Sequence, residues 1–309
     1  MLSIQNISKS YDKRTILDSI SIDVGRGEIV SVLGKSGGGK STLLNAIAGF
    51  ERLDDGFISL EGQTISAKNV FVEPSKRGIG FVFQNYALFP HLNVFENVSF
   101  ALSGASKAHK KEKIAAVLEL INLSGYEKKY PHVLSGGEQQ RVALARVLVM
   151  EPKLILFDEA FSSVDTVLKA SIQKELLAIL RKLKTTAIFV THDPKEAMAI
   201  SDKIAFLENG RVVQFDSPEN IYLNPVSKDT ASFFGPVNVC SGKYIRVEKC
   251  RLDKSSGDFV STVEESVFMG SRYETTVNST IDGLDCRFLV YTDCRYEKDE
   301  KLFLNISEF

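Results

Sequence analysis

Glu28-Ile29-Val30-Ser31-Val32-Leu33-Gly34-Lys35-Ser36-Gly37-Gly38-Gly39-Lys40-Ser41-Thr42-Leu43-Leu44 is the stretch that decides the fold. Ile29 to Leu33 is an apolar run of the kind buried in the middle of a sheet. From Lys40 onward Leu43, Leu44, Ile47 and Ala48 recur at helical spacing, and Gly49 supplies a C-terminal cap. Between strand and helix, Gly34 to Ser41 fits G-x-x-x-x-G-K-[ST], in the context that gives this pattern its meaning. A flexible glycine linker has a similar composition but no such setting. Glycines let successive N–H groups turn inward at phosphate oxygens, and the helix directs the positive end of its dipole to the same place. The stretch predicts a phosphate cradle made by Gly34, Lys35, Ser36, Gly37, Gly38 and Gly39, with Thr42 at its helical end. Lys40 would reach the β and γ phosphates, and Ser41 would ligate Mg²⁺.

Further along, Leu154-Ile155-Leu156-Phe157-Asp158-Glu159 reads as a buried strand ending in two carboxylates. In a parallel sheet that end is where ligands bind. Asp158 can hold Mg²⁺ through water and Glu159 can polarise an attacking water, which are parts that phosphoryl transfer needs. Apolar strands ending in Asp-Glu are common, so the pair carries weight only beside the phosphate loop. Together they specify a nucleoside triphosphatase.

The rest of the chain is organised around these two motifs. Residues 2 to 33 read as short strands, and residues 85 to 150 as helical, with Ile114, Val117, Leu118 and Ile121 on one face and the lysines of 107–113 on the solvated one. Leu154 to Phe157 and Thr186 to Val190 read as parallel strands around a helix through Leu176, Leu177 and Leu180, giving an α/β domain. After Pro236 short Thr/Val/Tyr-rich stretches alternate with turn residues, predicting a small all-β appendage and a boundary near residue 237.

The chain's 309 residues carry 38 Lys plus Arg against 39 Asp plus Glu, so no charge excess calls for nucleic acid or an anionic lipid surface. No apolar run approaches the roughly 18 residues of a spanning helix, and the first residues lack the pattern of a signal peptide. A cytosolic location is expected, with any membrane attachment made through a partner. Cys240, Cys250, Cys286 and Cys294 have no C-x-x-C spacing or nearby His, and read as small buried hydrophobes rather than zinc or redox groups.

Leu134-Ser135-Gly136-Gly137-Glu138-Gln139-Gln140-Arg141 narrows the class. With it, residues 1 to 235 resemble the ATP-binding cassette (ABC) family. The resemblance implies a P-loop NTPase with a RecA-like core, an N-terminal antiparallel β subdomain and a helical signature subdomain, forming a nucleotide-binding domain over 1–236. A short OB-like or TOBE-like β domain over 237–309 would follow. It implies that Tyr11 stacks on adenine, that Gln84 senses Mg²⁺ and water, and that Asp158 and Ser41 join Gln84 around the metal. Glu159 would be the general base and His192 the switch at the γ phosphate. Ser162 and Asp165 would belong to a loop crossing a dimer interface, in which Ser135, Gly136, Gly137 and Glu138 close over the partner's ATP.

Only about 50 positions separate Gln84 from Leu134, too few for the coiled coils of chromosome and repair ATPases, which favours transport. By resemblance, Asn85-Tyr86-Ala87-Leu88-Phe89-Pro90-His91 forms part of a groove for a short helix of a membrane permease. The alternative reading of Phe89 and Phe95 is core of the helical subdomain. Ile245-Arg246-Val247-Glu248 and Val267-Phe268-Met269-Gly270 are similar to the C-terminal domain of importers for iron(III), sulfate, polyamines and maltose, and Asn69 to His91 is most similar to the iron(III) members. The implied partners are a second copy, permease subunits and, indirectly, a solute-binding protein, with no nucleic acid. An ATPase acting on nucleic acid or ribosomes is the reading from another class. Ala160 and Val247 stand where these relatives have Pro; the first removes only a fixed φ.

Overall fold

The apolar run at Ile29 to Leu33 forms strand β3 (Ile29–Gly34), all six residues of which are buried. With strands numbered in chain order, it lies between the parallel strands β9 (Thr186–Thr191) and β10 (Lys203–Glu208). Beyond β9 come β8 (Leu154–Asp158) and β7 (Ile79–Val82), also parallel, while β11 (Arg211–Asp216) pairs antiparallel with β10 at the other edge. The computed structural model describes the whole chain except residues 13, 103, 105, 163–165 and 308–309, with residues 166–168 described by backbone alone. It divides into two units, Met1–Pro218 and Glu219–Phe309.

A strand covered on both faces must be apolar throughout, and β9 is buried along all six residues. The period-two alternation then sorts side chains between two cores. Ile155, Phe157, Ala187 and Phe189 enter one, while Leu154, Leu156, Ile188 and Val190 enter the other. The first core packs helices α2 (Val94–Ser99), α3 (Lys107–Leu120), α4 (Gly136–Leu148) and α5 (Thr166–Lys182), and the rings of Phe157 and Phe189 stack in it with centroids 4.2 Å apart. The second core packs α1 (Lys40–Ala48) against an antiparallel sheet. That sheet holds β1 (Leu2–Tyr11), β2 (Arg14–Val24), β4 (Asp55–Leu60), β5 (Gln63–Ala67) and β6 (Val70–Phe71) in the order β2-β1-β4-β5-β6. The α/β class with an antiparallel β subdomain, a helical subdomain and an all-β end is thus as expected.

The short strands expected over residues 2 to 33 are corrected: β1 and β2 run for 10 and 11 residues. Their pairing shifts register three times, and Asn6 (φ 49°) and Ser19 (φ 51°) are left-handed. Each shift breaks the two-residue alternation, so one long strand looks in sequence like several short ones.

Arg77 fixes the far end of α1. Only 3% exposed, it donates to the carbonyls of Ala46, Ile47 and Val72 at 2.9, 2.8 and 2.7 Å. The Ala46 and Ile47 carbonyls are ones that a helix C-terminus leaves unpaired, and the positive charge suits the negative end of the dipole, while Val72 lies outside the helix, just past β6. Burial lowers the guanidinium to about 10.

The second unit carries the end of α7 (Pro218–Leu223) and α8 (Lys228–Phe234) ahead of a hairpin, β12 (Val237–Cys240) and β13 (Lys243–Arg246). Its main sheet is antiparallel, in the order β14 (Cys250–Asp253), β18 (Lys301–Ile306), β15 (Phe259–Phe268), β16 (Tyr273–Ile281), β17 (Leu284–Thr292). Residue 237 marks where helices give way to strands; the compact division falls earlier, after Pro218. The hairpin is fastened to β17 by the Asn238 amide, which donates to Leu289 O at 2.9 Å and accepts from Leu289 N at 2.7 Å.

The cysteine reading is corrected in part. Cys250 is buried, but Cys294 is exposed, and Cys240 and Cys286 are joined in a disulfide between β12 and β17. Their Cα atoms stand 5.7 Å apart, a separation that the strand packing creates and the sequence does not display. The bridge closes a span of 46 residues, worth about 4 kcal/mol in the chain-entropy account. Cys286→Ser is expected to lower the melting temperature of this unit by about 10 °C or more. Calorimetry would find the same loss for the wild type under reductant and none for Cys294→Ser; a reduced wild type that melts unchanged removes the bridge from the account.

Candidate nucleotide site

Strand register brings the sequence motifs to one edge. Leu33 of β3 pairs with Thr191 of β9, Val190 with Asp158 of β8, and Phe157 with Val82 of β7. The segments leaving these strands therefore emerge side by side at the carboxyl end of the sheet, carrying the glycine loop, Asp158-Glu159, His192 and Gln84.

The glycine loop stays close to the sheet. Gly39 has φ 96°, and a Cβ there would stand 2.7 Å from Ile16 O, so glycine is required both for its conformation and for the close approach. Helix α1 starts with no side-chain cap, leaving the N–H groups of its first turn directed at the cleft. Lys40 is only 6% exposed, and its ammonium donates to Gly34 O at 2.8 Å and Lys35 O at 2.9 Å. Burial lowers it, against the pull of Glu159 and Asp158. Gly38 N closes the turn on Lys35 O at 3.1 Å, and the exposed Lys35 ammonium lies 3.9 Å from Glu208. The cleft above the loop is lined by Tyr11, Ser36, Gly37, Ser41, Thr42 and Glu159. Arg14 lines it too, a residue that the sequence reading missed because nothing local marks it.

Around the carboxylates, Glu159 sits in the left-handed region (φ 46°), with its N–H on Val190 O at 3.0 Å. Such strain in a non-glycine residue persists only where the surroundings over-determine it. One carboxylate oxygen is 3.4 Å from Gln84 Nε2 and the other 3.5 Å from His192 Nδ1. Ser162 Oγ donates to Glu159 O at 2.8 Å and accepts from Gln84 Nε2 at 3.1 Å. Asp158 is raised by burial and then by the charge of Glu159, with Lys40 opposing. Two adjacent carboxyls facing one lysine whose hydrogen bonds go to carbonyls form an oxygen-rich, electron-dense set that suits a hard divalent cation beside Ser41. Ala160, in place of Pro, is 1% exposed. Asp165 lies outside the described residues.

The signature turn is built but stands elsewhere. Ser135 N donates to Glu138 Oε2 at 2.7 Å and Glu138 N to Ser135 Oγ at 3.3 Å, a capping box that starts α4. The backbone donation from Ser135 holds the Glu138 carboxyl low. Gly137 abuts α5, where a Cβ would stand 2.6 Å from Ile172 Cδ1, while Gly136 faces open space. None of Ser135 to Glu138 lines the cleft described above. At the other end of α4, Arg146 donates to Ala87 O at 2.6 Å and Tyr86 O at 2.9 Å, holding two successive left-handed residues (φ 45° and 59°) just after Gln84. The sequence reading missed this clasp.

A phosphate loop, a strand-end acid pair and a helix-capping Ser-Gly-Gly turn on this sheet define a P-loop nucleoside triphosphatase of the cassette class. The ABC transporter family model matches residues 17–162. A sulfate/thiosulfate import ATP-binding protein, CysA, of Bacillus cereus is 43% identical over 265 residues, 82% of this chain and 71% of that protein. A spermidine/putrescine import ATP-binding protein, PotA, of Marinobacter nauticus is 40% identical over 266 residues, 85% of this chain and 68% of that protein. In structure the chain is similar to cbiO1 of Clostridium perfringens, part of the ABC transporter complex cbiONQ (TM-score 0.65, 28% identity, 71% of this chain and 89% of that one). It is also similar to a dimeric post-hydrolysis cassette, MJ0796, bound to ADP and Pi (TM-score 0.61, 29% identity, 71% and 99%). The chain belongs to the ABC transporter family, and its cassette binds ATP together with Mg²⁺.

Proposed function

We propose that this chain is the ATP-hydrolysing subunit of an importer, peripheral to the cytoplasmic side of the inner membrane. The observation that carries the reading is the meeting of Gln84 and His192 on the two oxygens of the Glu159 carboxylate, beside the phosphate loop. In this reading Tyr11 stacks on adenine, and Lys40 with the amides of Gly34 to Thr42 clamps the phosphates. Ser41, Asp158 and Gln84 would hold Mg²⁺. When bound, the metal neutralises charge on the β and γ oxygens. Glu159 takes a proton from the attacking water, its strained backbone fixing the carboxylate in line. His192 contacts the γ phosphate from the far side of that carboxylate.

The signature turn does not line the cleft of its own chain. A second copy, packed head to tail, would bring Ser135, Gly136, Gly137 and Glu138 over the ATP, with Ser162 and Asp165 at the crossing. The related cassette MJ0796 described as a dimer supports this. For the permease helix, Phe50, Phe83 and Phe100 are exposed; Phe50 stacks beside Phe83 at 6.4 Å, just before Gln84, and Phe89, in the segment after it, packs on Phe100 at 4.6 Å. Among the described residues no helix is long and apolar enough to cross a membrane, so permease subunits would hold the complex there. The cbiO1 relative belongs to such an assembly. A solute-binding protein would deliver cargo. Residues 237–309 are read as a TOBE-like regulatory domain, in which Val247 is buried in place of the Pro of the Arg-Pro-Glu turn and Arg246 ties the turn to Tyr222, Ala231 and Gly235.

Cargo rests on resemblance alone. Iron(III) is supported by the Asn69 to His91 stretch, and sulfate or polyamine by the two named relatives, which cover most of the chain. Uptake of radiolabelled sulfate, spermidine and ferric iron in source cells carrying wild type or Glu159→Gln separates them: the tracer lost in the variant is the cargo. No loss of any tracer would overturn the importer reading for these solutes.

A further inference from the structure

His192 stands on a two-residue link between β9 and helix α6 (Pro194–Ile200), and the neighbours of that link are tied down. Asp193 N donates to Thr191 Oγ1 at 3.1 Å. Asp193 Oδ1 caps α6 by accepting from Lys195 N at 3.0 Å and Glu196 N at 3.3 Å. A further tie comes from outside the link. Lys169, on α5, donates to Asp193 Oδ2 at 3.0 Å and pairs with Glu196 Oε2 at 2.7 Å. Lys169, Thr191, Asp193 and Glu196 wall a cavity of about 280 Å³ that is also lined by Glu159 and His192.

We propose that Lys169 is a positioning residue for hydrolysis: by joining Asp193 to Glu196 it holds the β9–α6 link, and with it His192, against the Glu159 carboxylate. The inference rests on the reading of the chain as an ATPase. A purely structural lysine would be needed only for Glu196, whose side chain is 5% exposed and would otherwise be a buried uncompensated charge. Asp193 is 37% exposed and needs no such partner, yet Lys169 divides its donors between the two. Helix α5 is the element that follows Glu159 and Ser162 in the chain. Lys169 therefore connects the backbone bearing the general base to the backbone bearing the histidine, across a contact of 3.5 Å.

The test uses the full-length chain, with kcat, KM for ATP and melting temperature measured for Lys169→Met, Lys169→Arg and the double variant Lys169→Met/Glu196→Gln. The double variant removes the buried charge together with its counter-ion. Positioning predicts that Lys169→Met loses about 10-fold or more in kcat with KM for ATP unchanged, since a small misplacement of a reacting group is costly. It also predicts that Lys169→Arg retains activity, and that the double variant regains melting temperature but not kcat. Recovery of kcat along with melting temperature would reduce Lys169 to charge compensation and overturn the proposal, as would normal kcat in Lys169→Met. A wild type that turns over no ATP would instead fail the ATPase reading itself.

Discussion

Glu159→Gln is expected to bind ATP normally, accumulate as an ATP-bound dimer and turn over about 10²- to 10⁴-fold more slowly. The substitution keeps the side chain's size, so the left-handed backbone at residue 159 and its bond to Val190 O remain in place. An amide is too weak a base to take the proton of an attacking water. The proposed phosphate clamp of Lys40 and the N–H groups at the start of α1 does not involve the lost oxygen. Binding and hydrolysis should therefore separate. Phosphate release measured under saturating ATP, with dimer detected by size-exclusion chromatography, checks both halves. Hydrolysis at the wild-type rate would remove Glu159 from the role of base.

Lys40→Ala should act one step earlier. The ammonium is buried and donates to the carbonyls of Gly34 and Lys35, so it is preorganised within the loop that would receive the phosphates. A charge-assisted bond to phosphate in a partly desolvated site is among the stronger single contacts, and its loss is expected to weaken ATP binding about 100-fold or more. The same change removes a positive charge that acts on both Asp158 and Glu159, adding repulsion against a polyanionic ligand. Titration with a fluorescent ATP analogue measures the effect, and a melting curve shows whether the variant is folded. A folded Lys40→Ala chain with wild-type affinity would sink the clamp. Because Lys40→Ala fails at binding and Glu159→Gln after it, only the second should yield the stable dimer.

The elements that were legible in sequence owe it to local physics. A strand buried on both faces must be continuously apolar, as at Ile29 to Leu33 and Thr186 to Val190. A phosphate loop needs its glycines, lysine and serine within eight residues, between a strand and a helix, so Gly34 to Ser41 is self-contained. The β4, β5 and β6 strands left no comparable mark, since they are short and mix exposed with buried positions. The register shifts of β1 and β2 hid their length.

From sequence alone came the fold class and the nucleotide-binding chemistry, because the motifs that carry them are written in neighbouring residues. The tertiary structure alone decided which distant residues meet. Gln84 and His192 reach the same carboxylate only because β7, β8 and β9 lie in adjacent parallel register. Arg146 finds Tyr86 and Ala87, Lys169 finds Asp193 and Glu196, and Cys240 finds Cys286 across spans of chain that carry no periodic signal. Such contacts depend on strand order and helix packing, which are set by how the whole apolar surface is buried, and no window of local sequence contains that information.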